Sequence, residues 1–304
     1  MSDEPRRILI VVHALRDDAV DAAVRVCSAL RASGARPVVP AADVAELRAR
    51  TDELDGVGVL GEDVALDDLE LAIVLGGDGT ILRAAELVRG STAPILGINL
   101  GHVGFLAEIE RDDMDDAVGR VIARDYVVED RLALAVQVTD AGDNEIYETW
   151  ALNEATVEKA SRERMLEVVV EIDGRPLSSF GADGIVVSTP TGSTAYNFSA
   201  GGPVIWPTVE AIAVVPLSAH ALFAKPLVVG PGATVAIEVL ARTNGTGVLW
   251  CDGRRSHDLP PGARVVVSRS PEPVRLARLH PAPFTDRLVA KFSLPVHGWR
   301  GPGA

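Results

Sequence analysis

The stretch LGGDGTILRAAE, residues 75–86, sets three glycines and one aspartate in four adjacent positions between an apolar run and a helical pattern. Upstream, LELAIVL (69–75) reads as a buried strand, and downstream TILRAAELVRG (80–90) has the spacing of a helix stopped by Gly90. A glycine-rich turn at a helix N-terminus leaves backbone N–H groups open to a ligand, and the positive end of the helix favours a phosphate. Gly76, Gly77 and Thr80 are therefore read as a phosphate cradle around Asp78 and Gly79. The carboxylate needs a different task, because it cannot itself bind an anion. Beside a phosphate it could orient a hydroxyl nucleophile, accept its proton, or hold Mg²⁺ against phosphate oxygens. The plainer reading, a tight turn in which Asp78 only caps its helix, stays open at this point.

Working outward, residues 1–125 alternate strand-like and helix-like segments, the pattern of an α/β domain. RILIVVH, ARPVVP, LELAIVL and APILGINLG are the strands. DDAVDAAVRVCSALRASG, DVAELRAR, the segment after the glycines and RDDMDDAVGRVIARD are the helices. After Asp125 the period changes to two. RLALAVQVT places Leu132, Leu134, Val136 and Val138 on one face, and MLEVVVEIDGRPLSSF turns at Asp173-Gly174, a two-residue hairpin signal. Residues 126–278 thus read as an all-β domain, and residues 279–304 as a tail with one short helix capped by Thr285.

The 304 residues carry a formal charge of −14, which weighs against a general nucleic-acid binder or a protein held on anionic lipid. Cys27 and Cys251 are far apart and form no C-x-x-C pair, so a reducing cytoplasm is expected. The five apolar residues 8–12 are too few for a signal segment, and no stretch reaches the roughly 20 apolar residues of a membrane span.

Two further constellations stand out. GADGIVVSTPTGSTAYNFSAGGP (181–203) crowds Ser188, Thr189, Thr191, Ser193, Thr194 and Ser199 among glycines, a density of hydroxyls suited to a sugar–phosphate ligand. In isolation an ordinary surface loop is the better explanation. Asn153-Glu154 pairs an amide that matches an adenine edge with a carboxylate that can accept from ribose hydroxyls. By contrast, the G-x-G-x-x-G of Gly56, Gly58 and Gly61 has no strand before it and no helix after it. There is no G-x-x-x-x-G-K-[ST] and no G-x-S-x-G, and the six histidines show no metal-ligand spacing.

Taken together and in this order, LGGDGTILRAAE, LGINLGHVGFLAE (96–108), LNEATVEK (152–159), STPTGSTAYNFSAGGP (188–203) and FTDRLVAKFSLPVHGWRG (284–301) resemble the NAD kinase family over nearly the whole chain. G-G-D-G-T alone is also found in diacylglycerol and sphingosine kinases; joined to T-P-T-G-S-T-A-Y it is specific. The resemblance implies an α/β Rossmann-like N-terminal domain and an all-β, β-sandwich-like C-terminal domain, the NAD kinase/diacylglycerol kinase-like fold. It implies transfer of the γ-phosphate of ATP, or of a phosphate from polyphosphate, to the 2′-hydroxyl of the adenosine ribose of NAD. A divalent cation, Mg²⁺ or Mn²⁺, is implied as cofactor, held by substrate phosphates with no protein ligand assigned. A homodimer or homotetramer is implied, with no nucleic-acid or membrane partner.

Asp78 matches the proposed catalytic base; positioning and charge neutralisation, more than basicity, supply the rate in such a transfer. Carried over position by position, the NAD contacts are Asp78, Gly79, Arg83, Asn153, Glu154, Arg164, Asp183, Thr194, Ala195, Tyr196, Asn197, Phe198 and Ser199. Asp183 matches an acidic residue near the nicotinamide carboxamide, and Phe105 an aromatic that packs on a base. Two positions depart from the pattern: Leu106 replaces a tyrosine of some relatives, and Arg254 follows Asp252-Gly253 where glutamine is frequent.

Overall fold

The computed structural model describes residues 5–13, 16–101, 104–161, 165–242, 246–279 and 283–296. The chain divides into two compact units, Met1–Asp130 with Val274–Ala304, and Arg131–Pro273.

The first unit is built on an eight-stranded sheet. Its strands are β1 (Arg7–Val12), β2 (Arg36–Pro40), β3 (Gly58–Leu60), β4 (Leu71–Leu75), β5 (Ile95–Asn99), β6 (Ile109–Glu110), β7 (Val127–Arg131) and, far later in sequence, β20 (Val274–Arg278). The order is β3-β2-β1-β4-β5-β20-β7, with β6 beside β5, and the pairings of β1 to β6 are parallel. Continuous apolar runs such as Ile8 to Val12 and Leu71 to Leu75 are almost wholly buried, as expected of strands covered on both faces. Helices α1 (Asp17–Ala32) and α4 (Met114–Ala123) share one core cluster with Ile8, Ile10 and Val12. α1 buries Val20, Ala23, Val26, Cys27 and Leu30 at helical spacing, opens on Asp17 and Asp18, and is followed by Gly34 at φ +81°. The short α2 (Val44–Arg50) follows β2, and α3 (Asp78–Leu87) covers the other face, with Ile81 lying over Gly97 of β5.

Three features differ from the sequence reading. β3 runs through the G-x-G-x-x-G segment, whose Gly56 and Gly61 are positive-φ turn residues (+74° and +84°) flanking a three-residue strand. β7 and β20, which alternation alone groups with the all-β domain, belong to the first sheet, because period two marks a strand without naming its sheet. Finally, α6 (Phe284–Phe292) has Pro283 at its N-cap position with no side-chain capping bond, and Thr285 lies inside the helix. None of its described helices is long and apolar enough to cross a membrane.

The second unit is a sandwich of two six-stranded antiparallel sheets. One runs β12 (Arg175–Ala182), β11 (Leu166–Ile172), β16 (Val235–Val239), β19 (Arg264–Arg269), β8 (Leu134–Thr139) and β9 (Glu145–Ala151). The other runs β15 (Leu227–Val229), β14 (Ile212–Leu217), β13 (Gly184–Ser188), β10 (Glu154–Lys159), β17 (Gly247–Cys251) and β18 (Arg255–Leu259), with the short α5 (Tyr196–Ser199) after β13. Alternate residues of both sheets, among them Val136, Val168, Ile237 and Val267 from one and Val157, Ile185, Val214 and Leu249 from the other, form a single core. Asp173 and Gly174 both take positive φ in the β11–β12 hairpin, the geometry its sequence signals.

Candidate active site

The strand order of the first sheet reverses between β1 and β4, with β2 and β3 on one side and β5 on the other. The crevice beyond the carboxyl ends of the strands at such a reversal is where open α/β sheets take ligands. The 76–79 turn leaves β4 at this point. α3 begins at Asp78 with Gly77 as its N-cap, so Asp78 does not cap its helix. Its carboxylate instead accepts two backbone N–H groups, Phe105 to Oδ2 at 3.0 Å and Leu106 to Oδ1 at 3.1 Å. Gly104 makes this approach possible, since a Cβ there would overlap the Asp78 carboxylate. Gly97 does the same on β5, where a Cβ would come 3.0 Å from the Ala107 backbone. Gly76 leaves room for the Thr80 hydroxyl, which a Cβ would meet at 2.6 Å. Gly77 and Gly79 are different: nothing stands within 4 Å of a Cβ at either, and Gly77 has an ordinary φ of −87°.

Two expected contacts are placed in other company. Arg83 donates to Asp43 and to the Val12 carbonyl, with Asp43 largely buried. The Phe105 ring packs on Phe284 and Phe292 of α6, at centroid distances of 6.1 and 5.7 Å, so Phe105 meets Asp78 through its N–H. Arg164 lies outside the described residues.

In the second unit, Asn153-Glu154 opens β10 beside the turn from β17 to β18. That turn carries Asp252 and Gly253 at φ +56° and +63°. The Asp252 carboxylate accepts N–H groups from Leu152 (2.9 Å), Asn153 (2.7 Å) and Glu154 (3.4 Å), and pairs with Arg255 at 2.7 Å. Burial pushes its carboxyl upward, while these donors pull the other way. Glu154 has far less support: it accepts the Tyr196 N–H, its Oε2 is buried without a partner, and burial next to Asp252 pushes its pKa up to about 8. The Asn153 side-chain amide is half-buried and makes no hydrogen bond among the described residues. A cavity of about 440 Å³ lies here, lined by Glu154, Thr156, Glu158, Tyr196, Trp250, Asp252 and Gly253. Its size suits a nucleoside-sized ligand.

The hydroxyl-rich segment folds on itself. Thr189 donates to the Leu152 carbonyl at 2.6 Å, Ser193 to Pro190 at 2.7 Å, and Thr194 to Thr191 at 3.3 Å. These three hydroxyls donate to the chain's own carbonyls and keep their acceptor lone pairs. Asn197 is wholly enclosed and ties Ser193 to Pro203 through its amide, so its side chain braces the loop. Tyr196, Phe198 and Ser199 are exposed, and Ala195 is half-buried. Asp183 is paired with Lys159 at 2.5 Å, which holds its carboxyl below the usual carboxylate range.

Sequence reasoning passed over Gly104, Gly192, Thr156, Glu158 and Trp250. The period-two placement of Glu154, Thr156 and Glu158 on β10 was the available signal for three of the cavity walls, with Trp250 paired across from Thr156. Nothing local marks Gly104 or Gly192 as contact positions.

Two outcomes follow for stability. Above pH 4.5 the unfolded chain releases the Glu154 proton while the folded chain keeps it, so stability falls as pH rises toward about 8. Glu154→Gln should therefore melt higher than the parent at pH 8 and close to it near pH 5; equal shifts at both would contradict the buried proton. A Cβ at Gly192 would run into the Asn153 carbonyl. Gly192→Ala should cost about 1–3 kcal/mol in urea unfolding, and an unchanged midpoint would show that the loop yields freely.

The sequence matches two family models, the ATP-NAD kinase N-terminal domain over residues 8–126 and the ATP-NAD kinase C-terminal domain over residues 152–279. An NAD kinase of Leifsonia xyli subsp. xyli is 64% identical over 297 residues, 98% of this chain and 97% of the relative. Among solved structures, yeast NADH kinase complexed with NADH superposes with a TM-score of 0.88 at 22% identity, covering 99% of this chain and 91% of that one. An Archaeoglobus fulgidus NAD kinase in complex with ATP gives 0.71 at 23% identity, covering 95% and 100%. At those identities the structures speak for the fold, while the sequence matches speak for the lineage: this chain belongs to the NAD kinase family.

Proposed function

We propose that the enzyme transfers the γ-phosphoryl group of ATP to the 2′-hydroxyl of the adenosine ribose of NAD, giving NADP and ADP, with polyphosphate as a second candidate donor. The observation that carries this reading is the Asp78 carboxylate, fixed by two backbone N–H groups at the carboxyl edge of a parallel sheet. An ionised carboxylate has about four lone-pair sites, so one N–H on each oxygen leaves room for the hydroxyl. Asp78 orients that hydroxyl toward the γ-phosphorus and takes its proton late, as a loose phosphoryl transfer allows. Gly77 and Gly79 support the cradle role, since the fold itself has space for a side chain at both.

The Asn153 amide serves the adenine edge. Glu154, neutral near pH 7, offers both a donor and an acceptor to ribose hydroxyls. Tyr196 and Ser199 border the dinucleotide, with Thr194 and Ala195 behind them. Asp183 would reach the nicotinamide carboxamide by sharing or leaving Lys159. A divalent cation, Mg²⁺ or Mn²⁺, would be held mainly by donor phosphates, as the family resemblance implies. When bound, it would neutralise phosphate charge. A homodimer or homotetramer is part of the reading, supported by apolar side chains exposed on the second unit, including Leu177, Leu222, Phe223 and Val228.

Asp78→Asn should lower kcat by about 10²-fold or more while sparing NAD binding; near-normal turnover would remove Asp78 from the chemistry. Asn153→Ala should raise KM for NAD with a smaller change in kcat. An unchanged KM in steady-state assays would reduce Asn153 to scaffold.

A further inference from the structure

The segment that holds Asp78 is itself held from behind. The N–H groups of Phe105 and Leu106 point at the carboxylate, and the carbonyls of the same stretch point at two arginines supplied about 170–180 residues later. Arg287 of α6 donates through Nη1 to the carbonyls of Phe105 and Ala107, both at 3.0 Å. Its Nη2 reaches Glu108 Oε2 at 2.6 Å. Arg278 of β20 donates to the Leu106 carbonyl at 3.4 Å, to Glu108 at 2.7 Å and to Glu129 at 2.8 Å. The Glu108 side chain is 1% exposed, and those of Arg278 and Arg287 are 12% and 14% exposed.

The Phe105 carbonyl and the Leu106 N–H belong to one peptide group. Arg287 therefore pulls on the oxygen of the same planar amide whose hydrogen Asp78 Oδ1 accepts. A cation on the carbonyl and an anion on the N–H align with the peptide dipole, and hydrogen bonds in such a chain strengthen one another. The planar guanidinium fork holds two carbonyls and a carboxylate in one fixed geometry, whereas the three donors of an ammonium rotate at a single point on a flexible stem. The Phe105 ring against Phe284 and Phe292 holds α6 in place over this stretch.

We propose that Arg287 is a positioning residue for phosphoryl transfer, orienting the Asp78 carboxylate through the Leu106 peptide and so making the C-terminal helix part of the catalytic apparatus. The proposal rests on the reading of Asp78 given above. It is tested by steady-state kinetics of the full-length chain with NAD and ATP, for Arg287→Met, Arg287→Lys, Asp78→Asn and the Arg287→Met/Asp78→Asn double variant, each checked for folding by circular dichroism and melting. Arg287→Met should lower kcat about tenfold and leave KM for NAD within about twofold, since a displaced catalytic group costs rate rather than binding. Arg287→Lys, which keeps the charge beside Glu108, should fold even if the methionine variant does not, and should lose about threefold in kcat at unchanged KM. In the Asp78→Asn background, Arg287→Met should cost nothing further. A parental kcat in Arg287→Lys, a loss confined to KM, or the same loss with and without Asp78 would each overturn the proposal. Full activity of Asp78→Asn would instead overturn the reading beneath it.

Discussion

The contact between the Asp78 carboxylate and the N–H groups of Phe105 and Leu106 is the constraint around which the first unit is arranged. Hydrogen bonds to a charged group contribute about 1.5–3 kcal/mol each, enough to fix a side chain in one orientation before a substrate arrives. The arrangement demands bare backbone at several places: at Gly104, against the carboxylate; at Gly97, where the 104–108 segment crosses β5; and at Gly76, where Thr80 turns inward. Preorganisation of this kind matters for phosphoryl transfer, where the protein supplies little covalent chemistry and much positioning.

The second unit solves a different electrostatic problem. Two carboxyl groups, Glu154 and Asp252, are buried here, and burial together with the nearby Asp252 disfavours the charged form of Glu154. Three N–H donors and Arg255 are all aimed at Asp252, whereas Glu154 accepts one N–H and keeps an unpartnered oxygen. The asymmetry separates their duties. Asp252 ties the β17–β18 turn to the start of β10, and Glu154 lines the cavity with one carboxyl oxygen left without a partner.

Much of this was legible in the sequence. The buried strands of the first sheet announced themselves as apolar runs, α1 as a 3.6-period stripe, and the Asp173-Gly174 hairpin by its turn residues. The turn of glycines around Asp78 and the helix that follows it were legible as well. What escaped notice was non-local. Strand β3 has only three residues, and the sheet that β7 and β20 join is decided by packing rather than by pattern. The hydroxyls of Thr189, Ser193 and Thr194 stand out in the sequence by their density, but their bonds to the Leu152, Pro190 and Thr191 carbonyls are set by the fold. The partners of Asp78 lie 27 and 28 residues away, and Arg278 and Arg287 lie far beyond them, out of reach of any local rule.

A crystal structure with NAD bound measures directly where the ribose hydroxyl sits relative to the Asp78 carboxylate. The adenosine 2′-hydroxyl oxygen is expected at about 2.6–3.2 Å from an Asp78 oxygen, with the N–H groups of Phe105 and Leu106 still on the same carboxylate. An adenosine ribose bound elsewhere, with Asp78 facing only its two amides and solvent, would contradict it.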